Sequence, residues 1–207
     1  MIKVMIVEDQ RLARESMEHY INQSNKYSLA LSIANAGLAE MSCSVHSIDL
    51  ILMDICTEND ESGFEAAKRI KAHYPGIKII IVTSMLDYSY IDRAKQVGAD
   101  SIWFKDVSCE ELMTVIDRTM AGESVFPDKA PEVKLGNTTS YAFSEAEIRV
   151  LRLLVEGMTY KQMAEKLNIT TDGVKAHISS MLSKTGFTSK TKLAAGVVSK
   201  KLIVNGF

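Results

Sequence analysis

A chain of 207 residues accommodates one large domain or two small ones, and 46% hydrophobic with 24% charged residues is the composition of a folded globular protein rather than a disordered one. No apolar run nears the roughly 20 residues of a membrane span, and no signal-peptide pattern opens the chain, so a cytoplasmic protein without membrane contact is expected. The net charge of −2 conceals an asymmetry: 12 Lys/Arg against 18 Asp/Glu up to Gly122, 12 against 8 from Glu123 onward, and 8 against 2 from Tyr160. An acidic front and a basic rear suggest two domains, the second facing a polyanion. The three cysteines, Cys43, Cys56 and Cys109, have neither an even count nor metal-ligand spacing and are expected to be reduced thiols.

In chain order, Lys3 to Val7 is a strand ending in Glu8 and Asp9, and a helix follows from Arg11 to about Asn22. Tyr27 to Ala34 gives a second strand, then a weakly patterned helix around Leu38 to His46. After Ile48-Asp49, the four apolar residues Leu50 to Met53 end in Asp54, and a continuous apolar run of that length suits a strand buried on both faces of a parallel sheet. A loop reaches Gly63. Phe64 to His73 is a helix with Phe64, Ala67 and Ile70 on one face, stopped by Tyr74-Pro75-Gly76. The strand Ile77 to Val82 runs into Thr83 and Ser84, and a helix near Tyr88 to Val97 is stopped by Gly98. The strand Ser101 to Phe104 runs into Lys105, and Cys109 to Met120 forms an amphipathic helix through Leu112, Val115, Ile116 and Met120. Five strands alternating with helices imply a doubly wound, parallel, five-stranded α/β domain.

In such sheets ligands sit outside the carboxyl ends of the strands. That rule gathers three carboxylates (Glu8, Asp9, Asp54), the Thr83 hydroxyl and the Lys105 amine into one crevice. Clustered carboxylates suit a hard divalent ion such as Mg²⁺. A carboxylate can also attack a phosphoryl group to give an acyl phosphate, while a metal, a hydroxyl and an ammonium stabilise the spread charge.

Glu123 to Ser140 holds two of the three prolines and little periodicity, as expected of a linker. Ser144 with Glu147 forms a capping box, and Phe143 with Ile148 a hydrophobic staple, opening a helix that carries Ile148, Leu151 and Val155 inward and stops at Gly157. Thr159 with Gln162 and Met158 with Met163 repeat the pattern, opening a short helix through Ala164 and Leu167. Asn168-Ile169 turns the chain, and Thr170 caps a third helix to about Lys184, with Val174, Ile178, Met181 and Leu182 inward. Gly186 ends it, and Ser189 starts a last helix through Leu193, Val197 and Leu202. Two short helices joined by a tight turn, the second exposing Lys175, Ala176 and Ser179, suit insertion into a major groove of double-stranded DNA. Lys161, Lys166, Lys184, Lys190 and Lys192 are candidates for phosphate contacts. A small helical bundle with a solvated basic face is the alternative.

Residues 1–122 resemble the receiver domain of bacterial two-component response regulators, a flavodoxin-like fold, with Glu8-Asp9, Asp54, Thr83 and Lys105 in matching order and spacing. The resemblance implies Asp54 as phospho-acceptor, Glu8, Asp9 and Asp54 with the backbone carbonyl of Cys56 as the Mg²⁺ site, Thr83 as the switch hydroxyl and Lys105 as the phosphoryl-binding cation. Residues 141–207 resemble the four-helix helix-turn-helix domain of LuxR/NarL (FixJ) type regulators, through Phe143-Ser-Glu-Ala-Glu-Ile-Arg-Val-Leu151 and Ile169-Thr-Thr-Asp-Gly-Val-Lys-Ala-His177. Together with a linker at 123–140, this implies a non-enzymatic transcription regulator that takes phosphate from a sensor histidine kinase, forms a homodimer on activation and binds DNA.

The chain departs from the pattern in several places. Cys56-Thr57 stands where Met-Pro is usual, in a loop one residue longer; Ile102 occupies the aromatic switch position, with Trp103 turned to the opposite face; Asp106 replaces a proline; and Gly173 replaces a threonine. Two other readings remain open from the residues: a pseudo-receiver controlled by a partner or by constitutive dimerisation, and an Asp-nucleophile phosphatase.

Overall fold

The first sheet is parallel throughout because each strand is followed by a helix that carries the chain back across its face. A computed structural model describes residues 1–85, 89–105, 111–129, 131–200 and 202–203. The expected helix start at Tyr88, Asp106, Cys109 and the terminal Phe207 lie outside the described residues, as does the side chain of Asp60. Residues 1–84 with 89–129 form one compact unit, and those from 131 form another.

In the first unit the elements are β1 (Ile2–Val7), α1 (Arg11–Asn22), β2 (Tyr27–Ile33), α2 (Ala39–Val45, after a 3₁₀ turn at Ala36–Leu38) and β3 (Leu50–Asp54). A small antiparallel pair, β4 (Cys56–Thr57) and β5 (Glu61–Ser62), leads to α3 (Gly63–His73), β6 (Lys78–Thr83), α4 (Ser89–Gln96), β7 (Ser101–Phe104) and α5 (Leu112–Met120). The strand order is β2-β1-β3-β6-β7. Strand order reverses between β1 and β3, so the crevice at their carboxyl ends is the topological switch point where such sheets bind ligands.

The pleat sends alternate side chains to opposite faces. Val4, Ile6, Leu50, Leu52, Ile80 and Val82 pack with Met17 and Ile21 of α1 and Leu112, Val115 and Ile116 of α5. Their neighbours Met5, Val7, Ile51, Met53, Ile79 and Ile81 are equally buried, and the helices on that side contribute Cys43, Phe64, Ile70 and Ile91. All five residues of β3 are buried, as its unbroken apolar run required. Trp103 packs against the α1/α5 cluster and Ile102, paired with Ile81, takes the other face, as strand alternation predicts.

The second unit contains α6 (Glu145–Val155), α7 (Tyr160–Leu167), α8 (Thr171–Thr185) and α9 (Lys190–Ser199), preceded by a short hairpin, β8 (Lys134–Leu135) and β9 (Thr138–Thr139). Both capping boxes form, and Thr170 and Ser189 cap α8 and α9 through their side chains. Asn168 and Gly186 close α7 and α8 in the left-handed conformation. Val150, Leu151, Met163, Val174, Met181, Leu193 and Val197 make the core between the four helices.

The segment expected as a linker, flexible or partly extended, has ordered contacts at both ends. The Val125 carbonyl accepts the Ile102 N–H at 3.0 Å on the outer edge of β7, and its N–H donates to Ser101 Oγ. The hairpin presses Gly136 (φ +58) against the end of α8, where an added Cβ would lie 2.0 Å from the Thr185 carbonyl oxygen. Among the described residues, no helix is long and apolar enough to cross a membrane.

Candidate functional site

Four side chains from three distant stretches meet at the carboxyl ends of β1, β3 and β7. Lys105 Nζ lies 3.0 Å from Asp54 Oδ1 and also donates to Glu8 Oε2. Asp9 completes the cluster: Glu8, Asp9 and Asp54 each offer an oxygen within 4.8 Å of the others. Glu8 is fully buried, Asp54 is 5% exposed and Lys105 8%. Thr83, the last residue of β6, is buried beside them in the register, since its carbonyl accepts the Lys105 N–H at 2.7 Å.

Burying Glu8 and Asp54 beside the half-buried Asp9 is costly unless the like charges are compensated. Burial pushes the Asp54 carboxyl up to about 7; Lys105 opposes this, while the charges of Glu8 and Asp9 add to it. Burial works against the Lys105 charge too, but the facing carboxylates of Asp54 and Glu8 outweigh it and its pKa is raised. The ammonium therefore stays charged. One lysine against three acids leaves the pocket short of positive charge, and an all-oxygen donor set is what a hard divalent cation requires. The residues fit such an ion.

Backbone contacts that the sequence did not announce hold the pocket in shape. Gly63 N–H donates to the Ile55 carbonyl at 2.8 Å, and a Cβ on Gly63 would lie 1.9 Å from the Asp54 carbonyl oxygen. Glycine there lets the lengthened 55–62 loop close directly behind the acceptor. Thr57 Oγ1 accepts the Ala36 N–H and donates to the Glu61 carbonyl, and Asn35 Nδ2 donates to the Glu58 carbonyl. The loop is thereby tied to the one after β2. Arg14 Nη1 donates to the Glu8 carbonyl at 2.7 Å and steadies the Glu8-Asp9 turn from α1.

In the second unit, α7 and α8 are joined by Asn168, Ile169 and Thr170 alone, the geometry of a helix-turn-helix. Lys175, Ala176 and Ser179 are exposed together on α8, three and four residues apart, so they form one row on its outer face. Lys161, Lys166, Lys190 and Lys192 are exposed as well. Lys190 Nζ stands 4.5 Å from the centre of the Tyr160 ring, and Lys166 pairs with Glu156 at 3.4 Å. His177 is half-buried.

Lys184 departs from expectation. Its ammonium donates to both carboxylate oxygens of Glu147, at 2.8 and 2.7 Å, and to the Ala142 carbonyl. With all three donors engaged it is a structural cation rather than a free phosphate contact. Glu147, 3% exposed, also accepts from Ser180 Oγ and the Ser144 N–H. The sequence showed Glu147 only as a capping-box residue; a long-range partner leaves no periodic signal.

A parallel α/β unit with an acidic pocket at its switch point, joined to a helix-turn-helix unit, defines a two-domain regulator. The comparisons agree. The family described as response regulator receiver domain matches residues 4–117, and that described as bacterial regulatory proteins, luxR family, matches residues 142–196. Response regulator protein VraR of Staphylococcus aureus is 31% identical over 201 residues, covering 92% of this chain and 93% of that protein. Among solved structures, RcsB of Salmonella enterica serovar Typhimurium bound to promoter P1flhDC in the presence of phosphomimetic BeF₃⁻ superposes with a TM-score of 0.63 at 18% identity, covering 96% of this chain and 98% of that one. A LuxR-family two-component response regulator from Aurantimonas sp. SI85-9A1 gives 0.57 at 24% identity, over 61% of this chain and 89% of that one. The chain belongs to the response regulator family, with a LuxR-type DNA-binding domain, a family of transcription regulators rather than enzymes.

Proposed function

We propose that this chain is a phosphorylation-controlled transcription regulator in which Asp54 accepts a phosphoryl group from a phosphohistidine of a sensor kinase. The observation that carries this reading is the convergence of Glu8, Asp9, Asp54 and Lys105, residues up to 97 positions apart, in one largely buried pocket with Asp9 at its edge. An Asp54 carboxylate oxygen attacks phosphorus, the nitrogen–phosphorus bond breaks, and the imidazole leaves. Glu8, Asp9 and Asp54 with the Cys56 carbonyl would hold Mg²⁺, which supplies positive charge to the phosphoryl oxygens. Lys105 adds a cation that its neighbours keep protonated. Thr83 offers the hydroxyl that a phosphoryl oxygen draws toward itself, and that differential contact biases the segment following β6.

Residues 1–122 carry this receiver role and residues 141–207 read DNA, with 123–140 between them. Activation promotes a homodimer. Lys175, Ala176 and Ser179 enter the major groove, while Lys161, Lys166, Lys190 and Lys192 contact phosphates. The promoter-bound state of RcsB supports DNA as the partner.

The test is incubation of the full chain with a small phosphodonor and Mg²⁺, followed by intact mass. One added phosphoryl group on the unmodified protein and none on Asp54→Asn is expected. An unmodified mass in both would replace this reading with a pseudo-receiver controlled by a partner.

A further inference from the structure

From Tyr160 to the end of the chain only two acids, Glu165 and Asp172, stand among eight lysines. One of the two lies on the face that would meet the groove. Asp172 is in the first turn of α8, and its side chain is 86% exposed. It begins the row that continues through Lys175, Ala176 and Ser179, at spacings of three, four and seven residues. A carboxylate there opposes the attraction to phosphates that the surrounding lysines provide.

An acid in the first turn suits the helix dipole, and its i,i+3 pairing with Lys175 suits the helix, but the cap itself does not need Asp172. The first-turn N–H of Gly173 is already satisfied by Thr170 Oγ1 at 3.0 Å. Among the described residues, the hydrogen bond that Asp172 makes is to Lys175 Nζ, 2.9 Å from Oδ1. This pairing holds a donor and an acceptor side by side on the exposed face. Three residues of helix rise about 4.5 Å, slightly more than one base step. The N-terminal residues of a recognition helix are the ones that meet base edges. In the major groove a carboxylate accepts from the cytosine amine, and a lysine donates to guanine O6 and N7.

We infer that Asp172 is a specificity-determining residue: on DNA its carboxylate accepts from a cytosine amine while Lys175 donates to a guanine at the same or the adjacent base pair. The inference rests on the assignment of α8 as the recognition helix. Asp172 contributes discrimination rather than affinity, because its charge repels every phosphate backbone alike and is offset only where a base amine lies in reach. The Asp172–Lys175 hydrogen bond gives each group a partner in the free protein; it must be given up when Lys175 turns to a guanine, and Asp172 is then left uncompensated unless a base amine replaces the lysine.

Selection from a randomised duplex library with the full-length, phosphodonor-treated chain tests this, comparing the unmodified protein with Asp172→Ala, Asp172→Asn and Lys175→Ala. Asp172→Ala should lose about 5- to 100-fold of preference at one base pair per half-site while binding random duplex several-fold more tightly. Asp172→Asn should move the preference at that position from cytosine toward adenine, whose N6 and N7 an amide pairs with. Unchanged base preferences in both Asp172 variants, with Lys175→Ala losing selectivity, would overturn the inference and leave the recognition helix in place. Equal losses at every position of the site would overturn it in favour of a purely structural acid. Failure of the unmodified protein to select any sequence would overturn the DNA-reading assignment itself.

Discussion

The acidic pocket and the helix-turn-helix surface handle charge in opposite ways. The pocket buries Glu8, Asp54 and Lys105 together, so their ionisations are linked and Asp54 is pushed up to about 7. The outer face of α8 leaves Lys175 and Ser179 in solvent, where a charge keeps its hydration and, apart from the Asp172–Lys175 pair, each contact acts nearly independently. A buried cluster acts as one unit and can switch; an exposed row adds contributions residue by residue and can read a sequence. Mutations should therefore give all-or-none effects in the pocket and graded ones on the helix.

The largest effect is expected from Asp54→Asn, which should abolish uptake of the phosphoryl group at all times in an intact-mass time course. Residual labelling at the unmodified rate would place the acceptor elsewhere.

Asp54 also makes stability depend on pH. A folded-state value near 7 against an ordinary carboxyl near 3.8 means that the folded chain binds the proton more tightly than the unfolded one. The contribution to stability is complete below about pH 4 and is lost as pH rises through about 7. In thermal melts without divalent cations, the unmodified protein should lose on the order of 2 kcal/mol more than Asp54→Asn between pH 5 and pH 8. Mg²⁺ should restore most of that loss. Parallel melting curves for the two proteins would show that Asp54 does not carry the unfavourable charge.

The second unit contains a smaller version of the same physics, which sharpens the comparison. Glu147 and Lys184 form the one partly buried ion pair described there, and Lys184→Ala leaves the carboxylate with only Ser180 and the Ser144 N–H. A loss of about 1–3 kcal/mol in denaturant unfolding is expected, because an unpaired buried charge is what costs. By contrast Lys192→Ala, on an exposed site, should leave stability unchanged and reduce the salt slope of DNA binding by about one contact. The smallest effect is a gain. Gly173 has ordinary helical backbone, but a Cβ there would sit 3.3 Å from Thr170 Oγ1, close enough that the capping hydroxyl must shift slightly, so Gly173→Ala should stabilise α8 by less than the helix-propensity gain of about 1 kcal/mol in the same unfolding experiment.

The two regions were also unequally legible. The helices of the second unit announce themselves because caps are local: Ser144 with Glu147, Thr159 with Gln162, and the stops at Asn168 and Gly186 can each be read from four or five neighbouring residues. The order and type of the sheet strands were legible for a related reason, since a doubly buried strand such as β3 needs an unbroken apolar run. Contacts between distant residues were not. Nothing near Lys184 foretold Glu147, and it was grouped with the phosphate-facing lysines. The Thr57–Ala36 bond, the Gly63 approach to Asp54, and the docking of Val125 on β7 depend on loops meeting in space. The clustering of Glu8, Asp9, Asp54 and Lys105 was legible all the same, because the rule that crevices lie at strand carboxyl ends converts sequence positions into proximity.

The central claim is that the buried pocket governs the exposed reading surface. Affinity of the full chain for a selected operator, measured by fluorescence anisotropy at fixed salt with and without phosphodonor and Mg²⁺, tests it most directly. The account predicts at least tenfold tighter binding after phosphodonor treatment of the unmodified protein and no change in Asp54→Asn. Equal affinities with and without the donor, in a protein shown by mass to carry the phosphoryl group, would contradict it.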